Sequence, residues 1–110
     1  MNLATVDQIK GSQPLAKPLN VLVADDNDSD RLLLTTIIQA AGHSVWSVAD
    51  GRSAVETFKA HAIDIVLLDA MMPGMDGFDA AAEIGRFLGD EFVPIVFLTS
   101  LKDASSLARC

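Results

Sequence analysis

The chain of 110 residues is most usefully read first through what it lacks. Its single cysteine is Cys110. No disulfide can close within the chain, and no Cys/His spacing of a zinc site is present. His43 and His61 have no evident ligand partners. Basic residues are also few, with 8 Lys and Arg against 15 Asp and Glu. The formal charge of −7 argues against a nucleic-acid footprint and against attraction to an anionic membrane. No apolar run approaches the roughly 18 residues of a membrane span. Met1–Lys10 contains Asp7 and lacks the apolar stretch of a signal peptide. Neither G-x-G-x-x-G nor a Walker A run occurs, so nucleotide-binding folds are disfavoured. This cysteine usage points to a reducing, cytoplasmic setting.

What is present suits a packed core, with half of the residues apolar and a mean hydropathy of +0.33. Residues 1–18 read as a leader, interrupted by Gly11, Pro14 and Pro18. Residues 19–110 then alternate strand and helix patterns. Strand candidates are Leu19-Asn20-Val21-Leu22-Val23-Ala24, Val45-Trp46-Ser47-Val48, Ile63-Asp64-Ile65-Val66-Leu67-Leu68 and Pro94-Ile95-Val96-Phe97-Leu98. Between them lie three helical stripes. Leu33, Leu34, Ile37, Ile38 and Ala41 mark the first, capped by Asp28 or Ser29 and closed by Gly42. Ala54, Val55, Phe58 and Ala62 mark the second, capped by Asp50, and Phe78, Ala81, Ala82, Gly85 and Leu88 mark the third. This rhythm predicts an α/β fold with a parallel sheet and helices on both faces. The second strand alternates polar and apolar residues and is placed at an edge, whereas the other three read as strands covered on both faces.

Acids end the first and third strands, and Thr99-Ser100 ends the fourth. Ligands of open parallel sheets bind at those carboxyl ends. If the first and third strands are neighbours, Asp25, Asp26 and Asp69 converge. Each like-charge pair at ~4 Å then costs about 4 kcal/mol at an effective dielectric of ~20. A hard divalent cation such as Mg²⁺ relieves that cost with oxygen ligands, and the Thr99 hydroxyl faces the same crevice. Any one of these acids alone could simply cap a helix or open a turn; their joint order along the chain favours a site. Pro73 and Gly74 read as turn formers beside Asp69. Met71, Met72 and Met75 read as loop packing, since Asp is the wrong company for a soft metal. Trp46 and Phe58 read as packing residues.

From about residue 19 the chain resembles the receiver domain of two-component response regulators. The resemblance rests on Val21-Leu22-Val23-Ala24-Asp25-Asp26-Asn27 with Arg31 downstream, on Asp64 through Gly77, and on Pro94-Ile95-Val96-Phe97-Leu98-Thr99-Ser100. It implies a flavodoxin-like sheet of order 2-1-3-4. It implies Asp69 as phosphoacceptor from a sensor histidine kinase or phosphotransfer protein. It also implies Asp26 as direct Mg²⁺ ligand (Mn²⁺ a possible substitute), Asp25 beside it through water, Asp69 itself and the Met71 backbone carbonyl as further ligands, and Thr99 as switch hydroxyl. The phosphoryl signal would pass to a C-terminal output domain or a downstream protein of a bacterial phosphorelay. Such a domain is a switch with at most slow self-phosphorylation and self-dephosphorylation, not a turnover enzyme.

Receivers also carry a fifth strand, a lysine after it and a fifth helix, whereas ten residues follow Ser100 here. Lys102 sits too early to be that lysine, and Phe97 does not replace the aromatic of the fifth strand. The chain is therefore expected to be an N-terminal part of a longer regulator. Two other readings stand beside the switch: a receiver-like docking module that is not phosphorylated, and a Mg²⁺-dependent phosphatase or phosphotransferase using Asp69. The second usually shows an acid two residues after the nucleophile, where Met71 stands. The open edge of the fourth strand predicts a homodimer or aggregation. Light scattering tests this: self-association is expected, and a monodisperse monomer at high concentration contradicts it.

Overall fold

The computed structural model describes residues 17–98. Within them the chain runs β1 (Asn20–Ala24), α1 (Asp28–Ala40), β2 (Ser44–Val48), α2 (Gly51–Ala60), β3 (Ile65–Asp69), α3 (Gly77–Leu88) and β4 (Ile95–Leu98). The four strands form one parallel sheet of order β2-β1-β3-β4, the predicted order. Parallel neighbours need crossover connections, and each crossover here is a helix. Thr99, Ser100, Lys102, Cys110 and most of the expected leader lie outside the described residues. No helix among the described residues is long and apolar enough to cross a membrane.

Alternation along β1 sends Leu22 and Ala24 to one face and Val21 and Val23 to the other. The first face carries the main core. There Leu22, Ala24, Val66 and Leu68 meet Ala54, Val55 and Phe58 of α2 and Ala80 and Ile84 of α3, with Ile63 and Met72 closing the ends. Each large aliphatic side chain buried this way contributes about 1.5–3 kcal/mol. On the second face α1 lies over β1 and β2, so Val21 and Val23 are buried while Val96 of β4 is 43% exposed. The apolar run of β4 is thus not covered on both faces among the described residues.

The helix phases differ from the sequence stripes in instructive ways. The inward side of α1 is Arg31, Leu34, Thr35 and Ile38, and Leu33 and Ile37 are exposed. Those two flank the packed stripe and would be buried only by a cover beyond α1. In α3 the inward residues are Gly77, Ala80, Ala81, Ile84 and Leu88, whereas Phe78, Ala82 and Gly85 face outward. The Phe78 ring instead rests on Phe97 of β4, with ring centroids 4.7 Å apart. Ala62 lies beyond α2 and is exposed, and its carbonyl accepts from the Asn20 side chain. The cap of α1 is Asn27, not Asp28 or Ser29: its side chain accepts from Asp30 N–H at 2.9 Å. Asp50 caps α2 as expected, accepting from Ser53 N–H at 2.8 Å, and Asp76 caps α3.

Gly77 sets how closely α3 approaches β3. Its N–H donates to the Ala70 carbonyl at 3.1 Å. A Cβ there would collide with the Asp69 carbonyl oxygen and come within 2.9 Å of Ala70 Cα. Both are backbone atoms that cannot step aside. Gly85 of the same helix has open space around the corresponding position. Gly77→Ala is therefore expected to destabilise by about 1–3 kcal/mol. Gly85→Ala should be neutral or stabilise by up to about 1 kcal/mol. Urea unfolding of the two variants measures the contrast, and equal effects would contradict it.

Candidate functional site

Parallel pairing of β1 with β3 builds the site. Ala24 pairs with Leu68, so Asp25 and Asp69 leave neighbouring strands at the same level. Asp26 follows Asp25 into the loop toward α1. One carboxylate oxygen from each of Asp25, Asp26 and Asp69 lies within 4.8 Å of the others. Asp25 and Asp69 are 5% and 7% exposed, whereas Asp26 is open to solvent. The sequence-predicted acidic trio is thus one cluster at the carboxyl end of the sheet.

Hydrogen bonds hold the two buried acids in place. Asp25 donates its N–H to Val48 O at 3.1 Å, and its Oδ1 accepts from Asn27 N–H at 2.9 Å. Arg31 Nη1 donates to the Asp25 carbonyl at 2.8 Å, and Nη2 reaches Asp28 Oδ1 at 2.6 Å. Asp69 Oδ1 accepts from Met71 N–H at 3.1 Å. The loop after Asp69 is pinned on both sides, by Ala70 N–H on Leu98 O at 3.3 Å and by Gly77 N–H on Ala70 O. Gly74 takes φ +73 in that loop, the turn role read from Pro73-Gly74.

The other candidates fall where their chain positions put them. Met71 is in the pinned loop and 59% exposed, so it does not pack, whereas Met72 is in the core and Met75 rests against it. Leu98 pairs with Asp69 across β3 and β4, and Thr99 follows it outside the described residues. Trp46 packs at the edge of the core and Phe58 within it. Sequence reasoning noted Arg31 without giving it a task. Its bond to Asp25 depends on the path of the loop, which no spacing rule reveals.

Burial pushes the Asp69 carboxyl from its ordinary 3.8 up to about 6, and the Asp25 and Asp26 carboxylates push the same way. The Met71 N–H works against them by stabilising the ion. An oxygen-only donor set of this charge suits a hard divalent cation better than a thiophilic one.

A parallel sheet that ends in a buried acid beside two more defines a recognisable class of domain. A family model for the response regulator receiver domain matches residues 21–110, and the chain belongs to that family. It is 36% identical over 84 residues to a probable transcriptional regulator, ycf27, of Cyanidium caldarium, covering 76% of this chain and 32% of that protein. It is 36% identical over 95 residues to the transcriptional regulatory protein PdtaR of Mycobacterium tuberculosis, covering 86% and 45% respectively. The chain therefore spans less than half the length of these relatives. Among solved structures it is similar to the receiver domain of the sensor histidine kinase PA1611 of Pseudomonas aeruginosa, which holds magnesium in its active-site cleft. That likeness has a TM-score of 0.71 and 29% identity over 77% of this chain and 70% of the other. It is also similar to a chain of the CheX–CheY–BeF3–Mg²⁺ complex of Borrelia burgdorferi, with a TM-score of 0.69 and 34% identity over 84% of this chain and 70% of that one.

A raised folded-state value means that folded Asp69 holds a proton the unfolded chain has released. Its contribution to stability is full below about pH 4 and is lost as pH rises through about 6. Over that window the loss is at most about 3 kcal/mol. Asp69→Asn should therefore raise the melting temperature at pH 7.5 in chelator by several degrees. The gain should vanish near pH 4. Thermal melts at both pH values measure it, and a gain independent of pH would contradict the electrostatic cause.

Proposed function

We propose that this receiver domain is a phosphorylatable switch. It accepts a phosphoryl group on Asp69 from a phosphohistidine of a sensor kinase or phosphotransfer protein and passes the signal to an output domain or protein partner. The observation that carries the reading is the convergence of Asp25, Asp26 and Asp69 within 4.8 Å, with Asp69 buried at a strand end.

Asp69 is the nucleophile. With Oδ1 engaged by Met71 N–H, Oδ2 is the oxygen that attacks phosphorus. The new O–P bond forms as the N–P bond breaks, and the electron pair leaves on the imidazole, which takes up a proton from solvent. Near neutral pH a carboxyl at about 6 is mostly ionised, as the attack requires. Asp25 and Asp26 supply the charge that holds a divalent cation, with Asp69 and the Met71 carbonyl completing the protein ligands. Mg²⁺, or Mn²⁺ in its place, supplies neutralisation of the acids and of the phosphoryl oxygens. Thr99 takes the role of the hydroxyl that meets the phosphoryl group. An added phosphoryl charge then creates new hydrogen bonds that bias a two-state element. On this reading the domain works in the cytoplasm and turns over phosphate only slowly.

Incubation with acetyl phosphate and Mg²⁺, read by intact mass, tests the switch. The expected result is a gain of one phosphoryl group in the wild type that is lost with chelator and absent in Asp69→Asn. No metal-dependent gain would contradict the switch and favour a docking module. Steady release of phosphate from added esters would favour the phosphatase reading.

A further inference from the structure

Arg31 stands at the junction of two features that the proposed chemistry leaves unexplained: the fixed backbone of Asp25 and the acid at Asp28. Its side chain is 21% exposed, unusually enclosed for arginine, and Asp28 beside it is 89% exposed. An exposed pair at i, i+3 contributes little as an ion pair. Its geometry matters more. One arm of the guanidinium is held on Asp28 Oδ1 at 2.6 Å, which turns the other arm back over the loop onto the Asp25 carbonyl at 2.8 Å. Asp25 has two further anchors, Val48 O at its N–H and Asn27 N–H at its Oδ1. Amide, carbonyl and one carboxylate oxygen are then all engaged, and Oδ2 is the atom left for a ligand.

We propose that Arg31 is a positioning residue for the cation site. By clamping the Asp25 carbonyl it fixes the peptide between Asp25 and Asp26 and hence the aim of both carboxylates. The inference rests on the reading that the acidic trio binds Mg²⁺. The two roles open to a cation beside such a trio have opposite signs. As a mere positive charge, Arg31 would repel Mg²⁺, and its removal would tighten binding. As a clamp, its removal loosens binding. Lysine separates them further, because it keeps the charge but cannot bridge two acceptors with a planar fork.

The test is calorimetric titration of the full chain with Mg²⁺ at pH 7.5, alongside thermal melts in chelator, for wild type, Arg31→Met and Arg31→Lys. Both variants are expected to bind Mg²⁺ about tenfold more weakly than wild type, the scale on which outer partners of metal ligands act. Arg31→Lys should melt closer to wild type than Arg31→Met does. If Arg31→Met fails to fold, Arg31→Lys carries the comparison. Unchanged or tighter Mg²⁺ binding in the folded variants, whatever their melting temperature, overturns the clamp. A wild type that binds no Mg²⁺ overturns the switch reading and this inference with it. Binding by wild type and variants alike overturns only the inference.

Discussion

Repulsion among Asp25, Asp26 and Asp69 is the constraint on which the rest of the structure depends. Parallel pairing of β1 with β3 brings two of these acids to the same level, and the chain path adds the third. Like charges at such separations cost a few kcal/mol per pair near a protein surface. That is a large fraction of the ~5–15 kcal/mol by which a domain is stable. Burial of Asp69 deepens the cost, which appears as its raised carboxyl value. The fold offsets part of it with donors. Met71 and Asn27 give N–H groups to the carboxylates, and Arg31 brings a positive charge and a bond to the backbone. The remainder is what a bound cation would relieve.

The architecture around the site serves that arrangement. Leu22, Ala24, Val66 and Leu68 fix β1 and β3 against α2 and α3, so the strand ends cannot separate. Gly77 lets α3 begin directly against the backbone that follows Asp69, and the Ala70 bonds pin the loop between them. The acids therefore sit at or next to the ends of packed strands, a placement that holds a site more closely than a loop does. By contrast, among the described residues the face bearing α1 is covered over β1 and β2, and Leu33, Ile37 and Val96 are exposed there. Among the described residues, packing is concentrated behind the site and thins toward β4.

Much of this was legible in the sequence because it rests on local patterns. Apolar runs that stop at Asp25 and Asp69 announce strands ending in acids, and the polar alternation of the second strand announces its edge place. Asp50 is legible as a cap because it stands alone before a helical stripe. Where several cap formers adjoin, the pattern cannot choose, and the fold selects Asn27 over Asp28 and Ser29. The stripe of α3 was misphased because Phe78, Ala82 and Gly85 read as inward partners, whereas Ala81 and Leu88 do face the core. In the structure Ala80 and Ile84 fill the narrow space over the sheet, and the larger Phe78 ring stands outside on Phe97. Small residues can carry the buried face when backbones pack closely, and hydrophobicity alone does not reveal that. Arg31 was illegible for another reason: its contact is with a carbonyl, and carbonyl directions follow from the folded loop.

The central claim is that these three carboxylates form one electrostatic unit made to hold a cation beside a nucleophile. The most direct measurement is the titration of the Asp69 side-chain carboxyl, followed by carbon NMR with and without Mg²⁺. The account predicts a midpoint near 6 in the metal-free protein. It predicts a fall well below that when Mg²⁺ is added. A midpoint at the ordinary carboxylate value that Mg²⁺ does not move would contradict it.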